Sequence, residues 1–285
     1  MGAGMRARLI VLAGLLLAAC AGPRTPQQPQ GVIDLAGDGS PIVAHWKALD
    51  GAAPRPAVVA LHGCGGLHWS DGKTFDSRYP TYVEHLHRAG YHVLLPDRFT
   101  PRGMPSICTV KNNERTITVE TRRADVVAAV HWLARQPNVD PKRIVLLGWS
   151  HGAMTSLNAI NRARTGFAAP LAGAVVFYPG CSGLLKMPFK LDVPVLMLLG
   201  EKDDWTPPER CVQLAERTRK QEPGADLTVH VFADSYHGFD GAAPVRFWKD
   251  VSNGVDPSGV HLGANPAARV QAQAEMDAFL TRVLR

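Results

Sequence analysis

The chain has 285 residues, a formal net charge of +6 and a hydrophobic content of 46%, which is enough apolar side chain for a substantial core. Its 31 lysine and arginine residues are spread along the chain instead of clustering among aromatic residues, which argues against a nucleic-acid-binding protein. The sequence contains no H-E-x-x-H or C-x-x-C spacing, so we expect no metal site, and nothing in it calls for a cofactor.

The first residues of the chain have the pattern of an export signal. Arg6 and Arg8 precede an apolar run at 9–19 that is short for a membrane span, and small residues lead directly to Cys20. This pattern resembles a bacterial lipoprotein signal, in which such a cysteine is acylated and becomes the first mature residue. We therefore expect a signal peptide at 1–19 and a lipid on Cys20, with an ordinary secretory peptide or a misassigned start as the alternatives.

The next segment, residues 20–30, is polar and rich in proline, which is typical of a tether between an anchor and a folded body. Residues 31–285 contain no second linker and no internal repeat, so we expect them to form one large domain. The resemblance to lipoproteins implies a protein of the bacterial cell envelope, bound to the membrane through its N-terminal lipid. A glycine at position 22, where an aspartate would favour the inner membrane, implies the periplasmic face of the outer membrane.

Beyond the tether, short apolar strands alternate with helices. Asp38-Gly39 is a strong hairpin signal between two short strands, 31–35 and 42–47. Further strands are predicted at 57–61, 91–95, 144–147, 174–178, 193–199 and 227–232, and helices at 82–89, 120–135, 150–168, after 207–208, and at 265–284. This alternation predicts an α/β fold with a mostly parallel central sheet and helices on both faces. Active sites in such folds lie beyond the carboxyl ends of the strands.

The strand at 144–147 runs into Gly148-Trp149-Ser150-His151-Gly152, a G-x-S-x-G turn that opens a helix. In such a turn the two glycines leave room for neighbouring backbone and hold the serine Oγ toward solvent. The N–H groups at the start of the helix face any negative charge that develops on a substrate. Because the pattern is common by chance, it indicates a nucleophile only when a base and an acid accompany it.

A serine nucleophile needs a general base and an acid that orients the base, and in α/β-hydrolases these follow in the order serine, acid, histidine. Asp203 comes just after the strand at 193–199, three residues past a glycine, where such enzymes usually carry their acid. Asp204 is its rival, but adjacent side chains point in different directions, and the spacing favours Asp203. His237 follows the last predicted strand closely and is the predicted base, with a surface loop histidine as the alternative.

Attack on an ester carbonyl creates an oxyanion, which needs hydrogen-bond donors already in place. The backbone N–H of His151 is the first predicted donor. The glycine-rich segment His62-Gly63-Cys64-Gly65-Gly66 follows the strand at 57–61, and its glycines permit close approach of the backbone. We assign the second donor to the N–H of Cys64, with Gly63 as the nearest competitor and a simple glycine-rich turn as the alternative.

Together these motifs resemble the dienelactone hydrolase family of α/β-hydrolases over nearly all of residues 55–285. The motifs that carry the resemblance are His62-Gly63, Leu95-Pro96-Asp97 with Arg102-Gly103, Gly148-Trp149-Ser150-His151-Gly152, Asp203, and Tyr236-His237-Gly238-Phe239. The resemblance implies an α/β-hydrolase fold and hydrolysis through an acyl-enzyme, with Ser150, His237 and Asp203 as the triad. Family members that cleave dienelactones carry cysteine at the elbow, so Ser150 implies a carboxylesterase-like member that acts on a small-molecule ester.

Apart from the cysteine of the lipoprotein signal, the chain has four cysteines, and an even number in an oxidising compartment favours disulfides. Cys181 follows one predicted strand, and Cys211 begins the helix after the neighbouring strand, so both lie above the same sheet edge. We therefore predict a Cys181–Cys211 bond and, by elimination, a Cys64–Cys108 bond that ties the oxyanion loop to another loop. Four free, partly buried thiols are the alternative.

Residues near the predicted strand ends are candidates for a substrate pocket: Trp69, Arg102, Trp149, Tyr178 and Trp205. The aromatic rings would line an apolar acyl pocket, and packing is their alternative role. Arg98 and Arg102 would receive a substrate carboxylate, with a solvated loop as the alternative. The functional alternatives are a peptidase or acyltransferase on the same triad, and a noncatalytic ligand-binding lipoprotein.

Overall fold

A computed structural model describes residues 1, 31–35, 42–69, 71–164, 170–249, 251 and 253–285. The predicted signal peptide, the lipidation site Cys20, the tether at 20–30 and the turn at Asp38-Gly39 lie outside the described residues. Among the residues described, no helix has the length and hydropathy that crossing a membrane requires.

Within these ranges the chain forms ten strands and five α-helices. The strands are Gly31–Leu35 (β1), Ile42–Lys47 (β2), Arg55–Leu61 (β3), His92–Asp97 (β4), Val139–Trp149 (β5), Gly173–Phe177 (β6), Val195–Gly200 (β7), Leu227–Phe232 (β8), Arg246–Lys249 (β9) and Gly259–Leu262 (β10). The helices are Arg78–Arg88 (α1), Val119–Ala134 (α2), His151–Ala159 (α3), Pro208–Gln221 (α4) and Pro266–Val283 (α5).

The first eight strands form one sheet in the order β1-β2-β4-β3-β5-β6-β7-β8. The pairs β1–β2 and β2–β4 are antiparallel, and every pair from β4 to β8 is parallel. This confirms the predicted α/β fold with a mostly parallel sheet. The carboxyl ends of the parallel strands therefore lie along one edge, where the candidate site residues follow β3, β5, β7 and β8.

The central strands of the sheet are buried on both faces, which explains why β3, β4, β6 and β7 are apolar without alternation. Along β3, Val59 and Leu61 pack into a layer formed with α2, α3 and α4. Val58 and Ala60, the residues between them, pack into the opposite layer, formed with α1 and α5. Successive side chains of a strand point to opposite faces, so one continuous apolar strand supplies both halves of the core.

Two features differ from the sequence predictions. The helix after Ser150, expected to reach residue 168, ends at Ala159. Just beyond it, the side chain of Asn161 accepts hydrogen bonds from the N–H groups of Ala163 and Lys190, so the chain turns away. The second feature is a small antiparallel sheet of β9 and β10, which the sequence did not reveal because strands of four residues carry too little periodicity.

Candidate active site

Ser150 lies between the end of β5 and the start of α3, with a φ of 51° that a non-glycine residue rarely adopts. The glycines on either side of it permit close backbone contacts. A Cβ on Gly148 would lie 2.6 Å from the carbonyl oxygen of Gly152, and a Cβ on Gly152 would lie 2.0 Å from that of Leu61. Both distances are too short for a real side chain, so the G-x-S-x-G pattern follows from the packing of α3 against β3 and β5.

His237 joins the predicted nucleophile to the predicted acid. Its Nε2 lies 3.0 Å from Oγ of Ser150, and its Nδ1 lies 2.8 Å from Oδ2 of Asp203. The Asp203 carboxylate is fully buried, and its Oδ1 accepts hydrogen bonds from the N–H groups of Trp205 and Thr206 at 2.9 and 2.8 Å. In this geometry His237 can take the Ser150 proton while Asp203 holds the imidazole in place.

Asp204, the rival acid, has a different partner. Its Oδ1 accepts a hydrogen bond from the backbone N–H of His261 at 2.9 Å, and its Oδ2 lies 2.7 Å from Nδ1 of the same residue on β10. The two adjacent carboxylates thus hold two different histidines, and only that of Asp203 contacts His237. The β10 contact ties the small sheet to the loop that carries the acid.

The loop after β3 lies against the elbow, since a Cβ on Gly63 would contact Cβ of Ser150 at 3.5 Å. The N–H of Gly63 donates to the hydroxyl of Tyr79 at 3.1 Å, so this competitor for the oxyanion is already occupied. Among the described residues, no hydrogen bond uses the N–H of Cys64. The N–H of His151 lies in the first turn of α3, where backbone donors have no partner within the helix.

Both cysteine pairs that the sequence predicts are bonded in the structure, each with a Cα–Cα distance of 5.0 Å. The Cys64–Cys108 bond joins the loop after β3 to the loop after β4. That second loop also donates to the Cys64 carbonyl, from the N–H of Ile107 and the hydroxyl of Ser106. The residue assigned to the oxyanion hole is therefore held on two sides.

Trp205 forms an apolar wall beside the triad. Its ring centroid lies 4.7 Å from that of His237 and 5.8 Å from that of Trp248 on β9. The two tryptophans belong to a small cluster, which we call the wall cluster, and its other members are Cys64, Phe99, Met104, Ile107, Cys108, Val110, Ile117, Val251 and Val260. The members of the wall cluster come from the loops after β3 and β4, from the loop that carries Asp203, and from the small sheet and its surroundings.

Trp149 and Tyr178 do not line a pocket as the sequence analysis expected. Both are 1% exposed, and their polar tips donate to Asp240, the indole N–H to Oδ2 at 2.8 Å and the hydroxyl to Oδ1 at 2.6 Å. Buried tryptophan and tyrosine need such partners. Tyr178 still supports the site, because its ring centroid lies 4.5 Å from that of His237.

Trp69 and Arg98 also differ from expectation. Trp69 is 47% exposed, and its backbone N–H donates to the carbonyl oxygen of Thr74 in a turn. No described contact joins Trp69 to the proposed triad. The Arg98 guanidinium is buried in an ion pair with Asp125, so neither a solvated loop nor a carboxylate-receiving role describes it. Arg102 donates to the Arg98 carbonyl at 2.7 Å.

Two histidines behind the nucleophile are buried and neutral. Burial and the neighbouring Arg122 lower the pKa of His62 to about 3 and lower the pKa of His151 well below its usual value. Unfolding restores an ordinary pKa near 6.5, so the unfolded chain takes up these protons first as the pH falls.

We therefore expect the free energy of unfolding to be highest above about pH 6.5 and to decrease below it, by about 2 kcal/mol at about pH 5 from His62 alone. Urea unfolding at about pH 7.5 and at about pH 5 measures the difference. Equal values at the two pH conditions would contradict burial of the neutral histidines.

The sequence analysis missed Arg122, Thr206 and Asp240, which contact site residues. It also missed His261, which contacts Asp204. One of these residues could have been recognised from the sequence. Arg122 lies four residues before Val126, in line with the apolar stripe of α2, so the helical spacing could have identified it as a cation on the buried face, which also carries Asp125. The described ranges contain no group of three or more histidine, cysteine, aspartate or glutamate residues placed to hold a metal ion.

Comparisons with known proteins agree with the fold. A family model, "Dienelactone hydrolase family", matches residues 44–284. Acylamino-acid-releasing enzyme 1 of Oryza sativa subsp. japonica is 26% identical over 239 residues, which cover 70% of this chain and 29% of that enzyme. The chain thus spans less than a third of that relative.

Two solved structures illustrate the likeness of the fold. One is a dienelactone hydrolase-like promiscuous phosphotriesterase from metagenomic libraries, with a TM-score of 0.60, 16% identity, and coverage of 89% of this chain and 98% of that one. The other is the propionate-bound thermophilic esterase Est2 of Thermogutta terrifontis, with a TM-score of 0.61, 16% identity, and coverage of 89% and 94%. At these identities the likeness shows a shared fold.

Proposed function

The chain belongs to the dienelactone hydrolase family, and from this we propose that it is a serine hydrolase that cleaves carboxylic esters through an acyl-enzyme. One observation carries the proposal: His237 bridges Ser150 and Asp203 with hydrogen-bond distances of 3.0 and 2.8 Å. A serine hydroxyl is a weak nucleophile without such a base.

In the proposed reaction, Oγ of Ser150 attacks the ester carbonyl as its proton passes to Nε2 of His237. Asp203 stabilises the imidazolium that forms, and the N–H groups of Cys64 and His151 hold the oxyanion. His237 then gives its proton to the departing alcohol. Water, activated by the same imidazole, attacks the acyl-enzyme and releases the acid.

The surroundings of the triad favour a neutral ester with an apolar group. Trp205 packs against His237, and Trp248 packs against Trp205, so the surroundings of the base are aromatic, which suits an apolar acyl or alcohol group. Because Asp125 binds the Arg98 guanidinium, this cation does not serve a substrate carboxylate. A small-molecule ester is therefore the proposed substrate class.

We also propose that the hydrolase domain, residues 31–285, is held at the periplasmic face of the outer membrane by a lipid on Cys20, through the tether at 20–30. The two disulfides support an oxidising compartment of this kind. Metabolic labelling with a palmitate analogue, with Cys20→Ala as the control, tests the anchor.

We expect a fluorophosphonate probe to label the protein on Ser150, and 4-nitrophenyl esters to be hydrolysed, because both reactions need the activated hydroxyl. Peptide mass spectrometry locates the probe, and Ser150→Ala is the matched control. An unlabelled wild-type protein would favour a noncatalytic binding lipoprotein. A Ser150→Ala variant that is labelled as fast as the wild type would exclude Ser150 as the nucleophile.

The likeness to an acylamino-acid-releasing enzyme favours a peptidase as the second candidate, on the same triad. A matched pair of substrates separates the two candidates, an N-acetylalanine ester and the corresponding 4-nitroanilide. The ester and anilide bonds differ in intrinsic reactivity. If kcat/KM for the ester exceeds kcat/KM for the anilide by no more than this intrinsic difference, the result favours the peptidase. Adding alcohol or amine acceptors to the assay detects acyl transfer.

A further inference from the structure

Arg122 is a cation buried behind the candidate active site, and the reaction described above gives it no task. It lies in the first turns of α2, it is 2% exposed, and its guanidinium carbon is 5.6 Å from the ring centroid of Phe99. Burial lowers the pKa of Arg122 to about 10, so the side chain still carries its charge at neutral pH. A buried charge is costly unless hydrogen bonds compensate it.

The hydrogen bonds of this guanidinium reach two segments of the site at once. Nη1 donates to the carbonyl oxygen of His62 at 2.9 Å and lies 3.0 Å from Nδ1 of His151. This nitrogen carries two hydrogens, so it can serve both acceptors. Since Nδ1 of His151 then accepts, the proton of the neutral imidazole is on Nε2.

These two acceptors adjoin the two assigned oxyanion donors. His62 lies two residues before Cys64 in the loop after β3, and His151 itself supplies the other N–H at the start of α3. Through these hydrogen bonds, Arg122 joins the two separate segments of the chain that carry the donors. The distance between the donors decides whether both reach one oxygen atom.

The positive charge of Arg122 also acts on the two donor segments, and Asp125 and Asp97 attract the same charge. Both of its acceptors are uncharged, and Asp125, one turn further along α2, has both carboxylate oxygens within 2.6 Å of Nε of Arg98. Asp125 thus has a direct partner of its own. The positive charge of Arg122 lies behind the carbonyl and the imidazole that adjoin the donors, in a low-dielectric region where charges interact strongly.

We propose that Arg122 is a positioning residue of the oxyanion hole, which holds the two donor segments together and favours the negative oxyanion over the neutral ester. The proposal rests on the proposed serine hydrolase function. It predicts that loss of Arg122 weakens binding of the transition state far more than binding of the substrate.

The test compares Arg122→Met and Arg122→Lys with the wild type. We expect Arg122→Met to lower kcat by about 10²-fold with KM changed by less than about threefold. A boronic acid, which becomes tetrahedral and negatively charged when the serine adds to it, should lose affinity by a similar factor. Arg122→Lys keeps the charge but cannot span both acceptors, and we expect it to lower kcat by about 10-fold.

Arg123→Met is the matched control, because Arg123 is the next residue of α2, is also largely buried, and forms its ion pair with Glu120, whose side chain is 55% exposed. It should leave kcat and boronate affinity within about twofold of the wild type. Kinetic values are expressed per fluorophosphonate-reactive site, so that unfolded protein does not count. If the Arg122→Met protein does not accumulate in folded form, the kcat and boronate affinity of Arg122→Lys decide the test alone.

Unchanged boronate affinity in the Arg122 variants, or equal losses in Arg123→Met, would overturn the assignment. A loss confined to KM would also overturn it, because that is the mark of a binding or packing role. An inactive, unlabelled wild-type protein is a separate result, which refutes the proposed function itself.

Discussion

Replacing Asp203 by asparagine is expected to lower kcat for ester hydrolysis by about 10⁴-fold, the size of the effect when the acid of such a triad loses its charge. An asparagine side chain cannot stabilise the imidazolium, and its N–H₂ group can hold His237 in the wrong tautomer. Steady-state kinetics on purified protein measures the loss. The variant should keep the fold, since a side-chain oxygen can still accept the hydrogen bonds from Trp205 and Thr206.

Asp204→Asn is the control for this experiment, because it makes the same chemical change one residue away. Asp204 binds His261 and makes no described contact with His237. We expect its kcat to stay within about threefold of the wild type. If the two variants lose equal activity, the acid has been assigned to the wrong residue.

The second large effect concerns stability. We expect Asp240→Asn to lower the free energy of unfolding by about 3–5 kcal/mol, because it leaves the mostly buried guanidinium of Arg78 without its anionic partner. The same carboxylate accepts the hydrogen bonds from the tips of Trp149 and Tyr178. Urea unfolding measures the change.

The matched control is Asp277→Asn. Asp277 lies 2.8 Å from Nε2 of His85, but 43% of the Asp277 side chain is exposed, and exposed pairs contribute little. We expect a loss below about 1 kcal/mol. A loss in Asp240→Asn no larger than that in the control would contradict the role of the buried carboxylate.

Asp240 also explains how the loop of His237, the proposed base, is placed. It lies three residues after His237, and it joins that loop to Trp149, the residue before Ser150, and to Tyr178, at the end of β6. Loss of this carboxylate should therefore lower kcat in the folded fraction as well. The effect on activity is indirect, since Asp240 touches no reacting atom.

The fold and the meeting of the three proposed triad residues could be predicted from the sequence because both depend on short local patterns. Strands buried on two faces have continuous apolar runs, as in β3 and β7, and the turns between them carry glycine and proline. Each site residue directly follows a strand, and parallel strands bring their carboxyl ends to one edge. Ser150, Asp203 and His237 thus meet without any long-range information beyond the topology.

Contacts between distant segments could not be predicted in this way. Nothing near Trp149 or Tyr178 indicates that each ring points inward to a carboxylate 91 or 62 residues away. The same holds for the partner of Asp204, which lies 57 residues further along the chain on a strand of only four residues. An aromatic residue at a strand end has two possible environments, and only its polar partner decides between them.

The Cys64–Cys108 bond has a practical consequence for anyone who prepares this protein. Expression in a reducing cytoplasm, or storage with a thiol reductant, would leave Cys64, the proposed oxyanion donor, without its covalent link to the loop after β4. Low activity in such a preparation would reflect how the protein was handled and not a property of the native enzyme. Specific activity is therefore meaningful only together with a thiol count on the same sample.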